Sequence, residues 1–326
     1  MQKTVYDHIA VNNFKTWVLV ALFPISLVVL FAMVLFFLLV ITAEPATDYR
    51  IILNTTIYNV KHFSFWVMGI GVLWMGIVWF FGGDMMLSFA GAKELTPDEK
   101  ANRKLFRLVE TTALAAGLPC PKVYLIEDES LNAFATGRDP HHAAVSLTSG
   151  IVKKLSPLEL QGVIAHELAH IGNRDVALNM MLISGVSIFG FLAEILFRFQ
   201  VSGSSQRNND SKGSFGLIII ATGITFMLFH AVIAPLLRLA VSRTREYGAD
   251  STGALITRNP QALADALKKI SQDARVEVLD SAKQMAVACI YTPLKVEAFS
   301  LTSTHPPVEE RIKRLEEMAG KMSNSK

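Results

Sequence analysis

Apolar residues run nearly unbroken through four stretches of this chain, at about 17–42, 63–81, 176–199 and 215–237. A helix needs roughly 20 such residues to cross the hydrocarbon core of a bilayer, so each stretch predicts a transmembrane helix. The first exceeds the about 7–15 apolar residues of a cleaved signal sequence and reads as a retained anchor. Trp66, Trp74 and Trp79 lie in or near the second, where interfacial aromatics are expected. Pro235 bends the last turn of the fourth, which neighbouring helices tolerate. The Ser/Asn/Gly-rich run 201–214 joins the third to the fourth.

Between the second and third stretches the pattern changes. Thr96-Pro97-Asp98-Glu99 has the form of a capping box with proline at the first helical position, and predicts a soluble helix over 97–116 stopped by Gly117. Short β-forming runs at 122–127, 131–137 and 143–148 predict strands. A second box, Ser156-Pro157-Leu158-Glu159, opens a helix carrying Leu160 to Ile171. Polar, amphipathic helices are expected near 260–275 and 306–320, and no internal repeat is visible. The expected fold is an α-helical membrane protein with four transmembrane helices and an α+β soluble domain split in two. Residues 1–83 form an N-terminal transmembrane hairpin, 84–175 the first part of the soluble domain, 176–238 a second hairpin and 239–326 the second part.

Composition agrees with this division. Hydrophobic residues make up 51% of the 326 and charged residues 18%, against a usual charged share of about 25%. A net charge of +3, with no Lys/Arg stripe interleaved with aromatics, argues against a nucleic-acid partner. Cys120 and Cys289 are far apart and in no CxxC pattern, which argues against a disulfide scaffold and suits a reducing compartment. Lys3, Lys15, Lys93, Lys100, Arg103, Arg238, Arg243 and Arg245 flank one membrane face, against Arg50, Lys61, Arg207 and Lys212 on the other. That bias places both termini and the soluble domain of a multi-pass protein in the cytoplasm, and the expected location is the cell (inner) membrane.

The second boxed helix carries His166-Glu167-Leu168-Ala169-His170, an HExxH motif. Histidines at i and i+4 lie one turn apart on one face, so both imidazoles can reach one metal. Glu167 is turned about 100° round the helix, beside the metal's open position rather than on it. Two neutral imidazoles and one carboxylate suit zinc and leave a fourth position for water. The carboxylate has a source in Ser242-Arg243-Thr244-Arg245-Glu246-Tyr247-Gly248-Ala249-Asp250, directly after the fourth apolar stretch. Glu246 and Asp250 again share a helix face, so one can ligate while the other supports a histidine. The competing reading of that run is a solvated juxtamembrane face. Topology weighs against it, because HExxH precedes the third span and Glu246 follows the fourth. Two crossings return the chain to the same membrane face, whereas one or three would separate the groups.

Other polar residues weigh less. His141-His142 after Asp139-Pro140 reads as a solvated turn, since adjacent side chains diverge. Glu194 and His230 are ionisable groups inside predicted spans and so are functional hypotheses by default. Their depths differ, so Glu194 reads as snorkelling to the interface and His230 as making a helix–helix hydrogen bond.

LNAFATG, HELAHIGNRD, SRTREYGAD and STHPP, spread around the four apolar stretches, resemble the motifs of the HtpX-type membrane zinc endopeptidases, relatives of the CAAX prenyl proteases. The resemblance covers nearly the whole chain, and the prenyl proteases have more membrane helices than four. It implies a zincin-like metalloprotease domain with one Zn²⁺ per chain, held by His166, His170 and Glu246, and Glu167 as the catalytic base. It assigns Asn132, with its neighbours Ala133 and Phe134, to substrate binding, and His305 to the catalytic site. Asp250, Asp175 and Arg311 become supporting residues. It also implies quality control, the cutting of misfolded or damaged membrane proteins. The partners are then membrane-protein or unfolded polypeptide substrates and the lipid bilayer.

The expected reaction is peptide-bond hydrolysis. Glu167 accepts the proton of the attacking water and returns it to the leaving amine, and His305, folded back over the site, donates to the oxyanion. Three alternatives stand beside this reading. A prenyl-protein endoprotease shares the chemistry, an intramembrane protease would bury HExxH within a span, and a non-catalytic scaffold would be expected to have lost a ligand or the base. The run 131–137 completes the picture as a strand ended by glycine. Small residues at 133 and 135 let another backbone come close, and Asn132 offers a donor and an acceptor. It is expected to be a sheet edge to which an extended substrate adds as one more strand, with a covered structural strand as the alternative.

Overall fold

The structure, a computed structural model, describes residues 5–44, 47–97, 102–181, 222–225, 243–272 and 307–323. Two long helices, α1 (Val5–Thr42) and α2 (Tyr49–Phe89), pack as an antiparallel pair. Trp17 meets Trp79 at 5.6 Å and Phe31 meets Phe63 at 6.5 Å between ring centroids. Between these contacts Gly71 allows the helices to touch, since a Cβ there would lie 2.9 Å from Pro24 Cα. Among the described residues these are the two helices long and apolar enough to cross a membrane, over Ile9–Thr42 and Tyr49–Phe89. Both exceed the predicted spans. At about 1.5 Å per residue, α2 is about 60 Å long, roughly twice the hydrocarbon core. Asp48 starts it by accepting from Arg50 N–H at 2.9 Å, and no proline interrupts it before the soluble domain. Its last turns dock on the sheet, where Leu87 packs with Tyr124 and Ala144.

The soluble part has a four-stranded sheet. Its strands are β1 (Lys93–Glu94), β2 (Lys122–Ile126), β3 (Ala133–Gly137) and β4 (Ala143–Thr148), in the order β1-β2-β4-β3. β2 and β4 are parallel, while β1 and β3 run antiparallel to their neighbours at the two edges. β2, β3 and β4 fall on the predicted runs; β1 is too short to carry a period of its own.

The helices are α3 (Arg103–Ala115), α4 (Ser149–Lys154), α5 (Pro157–Gly172), α6 (Arg243–Thr257), α7 (Pro260–Gln272) and α8 (Val308–Ser323). α3 starts at Arg103, not at Pro97, and its N-cap Asn102 makes no side-chain capping bond. Residues 98–101, which include Asp98 and Glu99 of the predicted box, lie outside the described residues, and before them Leu95 N–H donates to Val123 O at 2.8 Å alongside β2. α3 ends as predicted. Gly117, at φ +68°, donates to Leu114 O, and Leu118 N–H donates to Ala113 O, a Schellman pattern.

The main core lies between α3, the sheet and α5. Leu105, Val109, Val123, Val145, Leu147, Val163, Ile164 and Leu168 are buried there, each contributing about 1.5–3 kcal/mol of burial free energy. After α5, residues 175–181 are helical. Met180 and Met181 join Phe23, Leu30, Met75 and Val78 in a second cluster, so this run packs on α1 and α2. The remainder of the predicted third span, the 201–214 connection, most of the fourth span, Glu194, His230, Cys289 and His305 lie outside the described residues.

Candidate metal centre

The site is built around α5. Its start is fixed by the second capping box: Glu159 N–H donates to Ser156 Oγ at 3.4 Å, and Ser156 N–H donates to Glu159 Oε2 at 2.7 Å. Lys269 of α7 donates to the same carboxylate at 2.7 Å. Two glycines bring neighbouring helices against α5. A Cβ on Gly162 would lie 3.1 Å from the Leu263 backbone, and one on Gly253 would lie 3.0 Å from His166 N.

On this helix His166 and His170 place their Nε2 atoms 3.2 Å apart with ring planes at 89°. Glu246, in the first turn of α6, brings Oε2 to 3.8 Å from His166 Nε2 and Oε1 to 3.7 Å from His170 Nε2. All three residues are buried, and one ligand atom from each lies within 4.8 Å of the others. The opposite ring nitrogens face carboxylates. His170 Nδ1 is hydrogen-bonded to Asp175 Oδ2 at 3.0 Å. His166 Nδ1 is 3.0 Å from Asp250 Oδ1, a charge contact whose angle falls short of a hydrogen bond.

Each supporting carboxylate meets an arginine. Arg311 of α8 forks onto Asp250, with Nε donating to Oδ2 at 2.8 Å and Nη2 to Oδ1 at 2.7 Å. Arg245 Nη1 lies 3.3 Å from Asp175 Oδ1. Burial pushes the Asp250 carboxyl up in pKa, but the Arg311 and His166 contacts outweigh it and hold the group below its usual range. For His170 burial disfavours the charged ring; the Asp175 hydrogen bond and the Glu246 and Glu167 charges win, and its pKa is raised. Positive charge is therefore favoured at this point.

The donor set fits a small dication. Zinc–nitrogen bonds of about 2.0–2.1 Å at a tetrahedral angle separate two imidazole nitrogens by about 3.3 Å, close to the 3.2 Å found. Carboxylates at both Nδ1 atoms favour the tautomer with Nδ1 protonated, which leaves both Nε2 lone pairs for a cation. Glu167, Asp175, Glu246 and Asp250 also outnumber Arg245 and Arg311 by two charges, which a dication balances.

The structure thus brings together His166, His170, Glu246, Asp250, Asp175 and Arg311. Glu167 lies half-exposed on the same helix. Asn132, Ala133 and Phe134 lie at the start of β3, the strand that packs against α5. His141 and His142 form an exposed turn capped by Asp139. Two contributors fall outside the i, i+4 pairs that mark the candidate ligands and their supports. Arg245 counts in the sequence as a juxtamembrane charge, yet it is buried and paired, so its weight in the orientation bias falls away. Asn12 of α1, the first of two adjacent asparagines ahead of an apolar stretch, donates to Asp175 Oδ1 at 2.7 Å.

A sequence model of the family described as Peptidase family M48 matches residues 99–319. A protein called Protease HtpX homolog from Tropheryma whipplei (strain TW08/27) is 41% identical over 243 residues, 74% of this chain and 81% of that protein. One of the same name from Bacteroides fragilis (strain ATCC 25285) is 35% identical over 314 residues, 94% of this chain and 96% of that one. Among solved structures, a crystal structure of S. mikatae Ste24p matches with a TM-score of 0.42 and 20% identity, covering 93% of this chain and 67% of that one. That likeness is too low to carry an argument about mechanism. The family match and the identities along almost the whole chain agree: the chain belongs to peptidase family M48 and, within it, to the HtpX-type proteases.

Proposed function

We propose that the chain is a membrane-embedded, zinc-dependent endopeptidase, with His166, His170 and Glu246 as metal ligands and Glu167 as general base. The observation that carries this reading is the convergence of the three buried donors on one point, with carboxylates behind both histidines. When bound, zinc supplies Lewis acidity and a water whose pKa falls towards about 7. Asp175 and Asp250 hold the two imidazoles in the ligating tautomer. Glu167 takes the water proton and passes it to the departing amine. His305 donates to the oxyanion from the segment before α8.

Substrate binding falls to the β3 edge. Asn132 O accepts from Thr148 N at 3.1 Å, so in the alternation of an antiparallel pair the main-chain groups of Phe134 and Thr136 face β4 while those of Ala133 and Ala135 face outward. Met86 of α2 lies against Thr136 Oγ1 at 3.5 Å, and Asn132 to Ala135 are only half-buried. An extended polypeptide can add there through main-chain bonds with little sequence preference. That suits misfolded or damaged membrane proteins as substrates.

The reading includes four spans and the domain division at 83, 175 and 238. The second hairpin returns α6 to the face of α5, and the active site faces the cytoplasm. It is tested by metal analysis with proteolysis of a membrane-protein substrate. Wild type should hold one zinc and lose activity to a chelator, and Glu167→Gln should keep the zinc and lose turnover. Wild-type turnover in Glu167→Gln would remove the base assignment.

A further inference from the structure

The first membrane helix reaches into the metal centre through one residue. Asn12 lies on α1 shortly before Trp17, and only 3% of it is exposed. Its amide nitrogen donates twice, to Asn173 O at 2.9 Å and to Asp175 Oδ1 at 2.7 Å. Asn173 is the C-cap of α5, and the turn behind it runs through Arg174 at φ +62° into the helical run that starts at Asp175. The same amide therefore fixes both the end of the histidine helix and the carboxylate that follows it.

Asp175 divides its two oxygens. Oδ2 meets His170 Nδ1 at 3.0 Å, while Oδ1 meets Asn12 at 2.7 Å and Arg245 at 3.3 Å. A carboxylate held by one oxygen can swing about its Cβ–Cγ bond, and the imidazole it orients swings with it. Asn12 is the closer of the two groups on Oδ1, and it reaches the site from a helix otherwise remote from it in sequence. A buried amide beside an apolar span is stable there only when hydrogen-bonded, and these two bonds end at the C-cap of α5 and at the carboxylate behind His170.

We propose that Asn12 is a positioning residue for the metal centre: by holding Asp175 Oδ1 it fixes the orientation of His170, so that metal affinity depends on the docking of α1 against the soluble domain. This rests on His170 being a zinc ligand. Partners behind a metal-bound histidine typically change affinity about 10–100-fold, and Asn12 stands one contact further out. Asn12→Ala should therefore weaken zinc binding about three- to tenfold.

The experiment uses the full chain in detergent micelles, with zinc affinity read by competition with a chelator. Wild type, His170→Ala, Asn12→Ala, Asp175→Ala and the Asn12→Ala/Asp175→Ala double variant are compared. If wild type binds no zinc, or His170→Ala binds it as tightly as wild type, the metal reading fails and takes this proposal with it. With that reading intact, Asn12→Ala should weaken zinc in the wild-type background and add nothing once Asp175 is gone. The cobalt-loaded Asn12→Ala protein should also show an altered visible spectrum. Thr16→Val serves as the control. Its hydroxyl, buried one turn along, donates to Asn12 O within α1 at 2.9 Å, and its loss should leave zinc affinity unchanged. Wild-type affinity in Asn12→Ala, or the same loss with and without Asp175, overturns the proposal. If Asn12→Ala does not accumulate folded, Asn12→Ser, too short to reach both acceptors, takes its place in the same cycle.

Discussion

Gly253→Ala should loosen the proposed metal centre from a position that touches none of the proposed ligands' side chains. Glu246, Asp250 and Gly253 stand at i, i+4 and i+7 on α6, one stripe facing α5. A Cβ on Gly253 would lie 3.0 Å from His166 N, 3.2 Å from Ala165 C and 3.2 Å from His166 Cα. Carbon contacts are comfortable at about 3.5–4.0 Å. All three neighbours are helix backbone and cannot rotate aside, so α6 must retreat by about half an ångström. Overpacking of this kind costs about 1–3 kcal/mol, and replacing a helical glycine with alanine returns about 1 kcal/mol. The net is a loss of up to about 2 kcal/mol in stability. Zinc binding should weaken as well, because Glu246 already stands 3.7 and 3.8 Å from the two histidines and moves outward with its helix. About tenfold weaker zinc binding is expected, by analogy with other changes behind metal ligands. The assay is denaturant unfolding with chelator competition, and Gly320→Ala on α8 is the comparison. Gly320 is exposed, with no described neighbour within 4 Å of its would-be Cβ, so it should gain up to about 1 kcal/mol and leave zinc alone. If Gly253→Ala gains stability as Gly320→Ala does, with unchanged zinc affinity, the close-contact reasoning is refuted.

Two further predictions use other parts of the structure. Ala135→Pro removes an N–H that points away from β4, so folding and zinc content should persist while kcat/KM falls about tenfold, the worth of one substrate hydrogen bond and its lost contact. Thr136→Pro removes a bond to β4 and should instead destabilise the sheet; normal cleavage by a folded Ala135→Pro protein would show that substrate does not use this edge. Lys269→Met tests the start of α5. Burial pushes the Glu159 carboxyl up in pKa, but the Lys269 and Ser156 hydrogen bonds prevail and hold it below its usual value. Because its folded pKa is the lower one, its contribution is present above about pH 4.3 and is lost as pH falls through the folded value. The substitution should cost about 0.5–1 kcal/mol near neutral pH, a modest figure because Lys269 is partly exposed, and should move the acid-unfolding midpoint to higher pH.

Local chemistry was readable from the chain alone. The capping box at Ser156, the stop at Gly117, the runs forming β2, β3 and β4, and the i, i+4 pairs at 166/170 and 246/250 all depend on neighbours within a few residues. The first two apolar stretches likewise fall within helices long and apolar enough to cross a membrane. Failures came where a distant contact overrode a local signal. α1 and α2 run past their apolar spans, and the end of α2 packs on the sheet, as no hydropathy window could indicate. Arg245 looks like a solvent-facing membrane-end charge until Asp175 is placed beside it. Which residues could bind a metal was therefore determined by the sequence, through helix periodicity and side-chain chemistry. How the site is held was decided only in three dimensions. The fork of Arg311 on Asp250, the bond from Asn12 to Asp175 and the close approach at Gly253 join residues far apart in the chain, and no periodicity records such contacts.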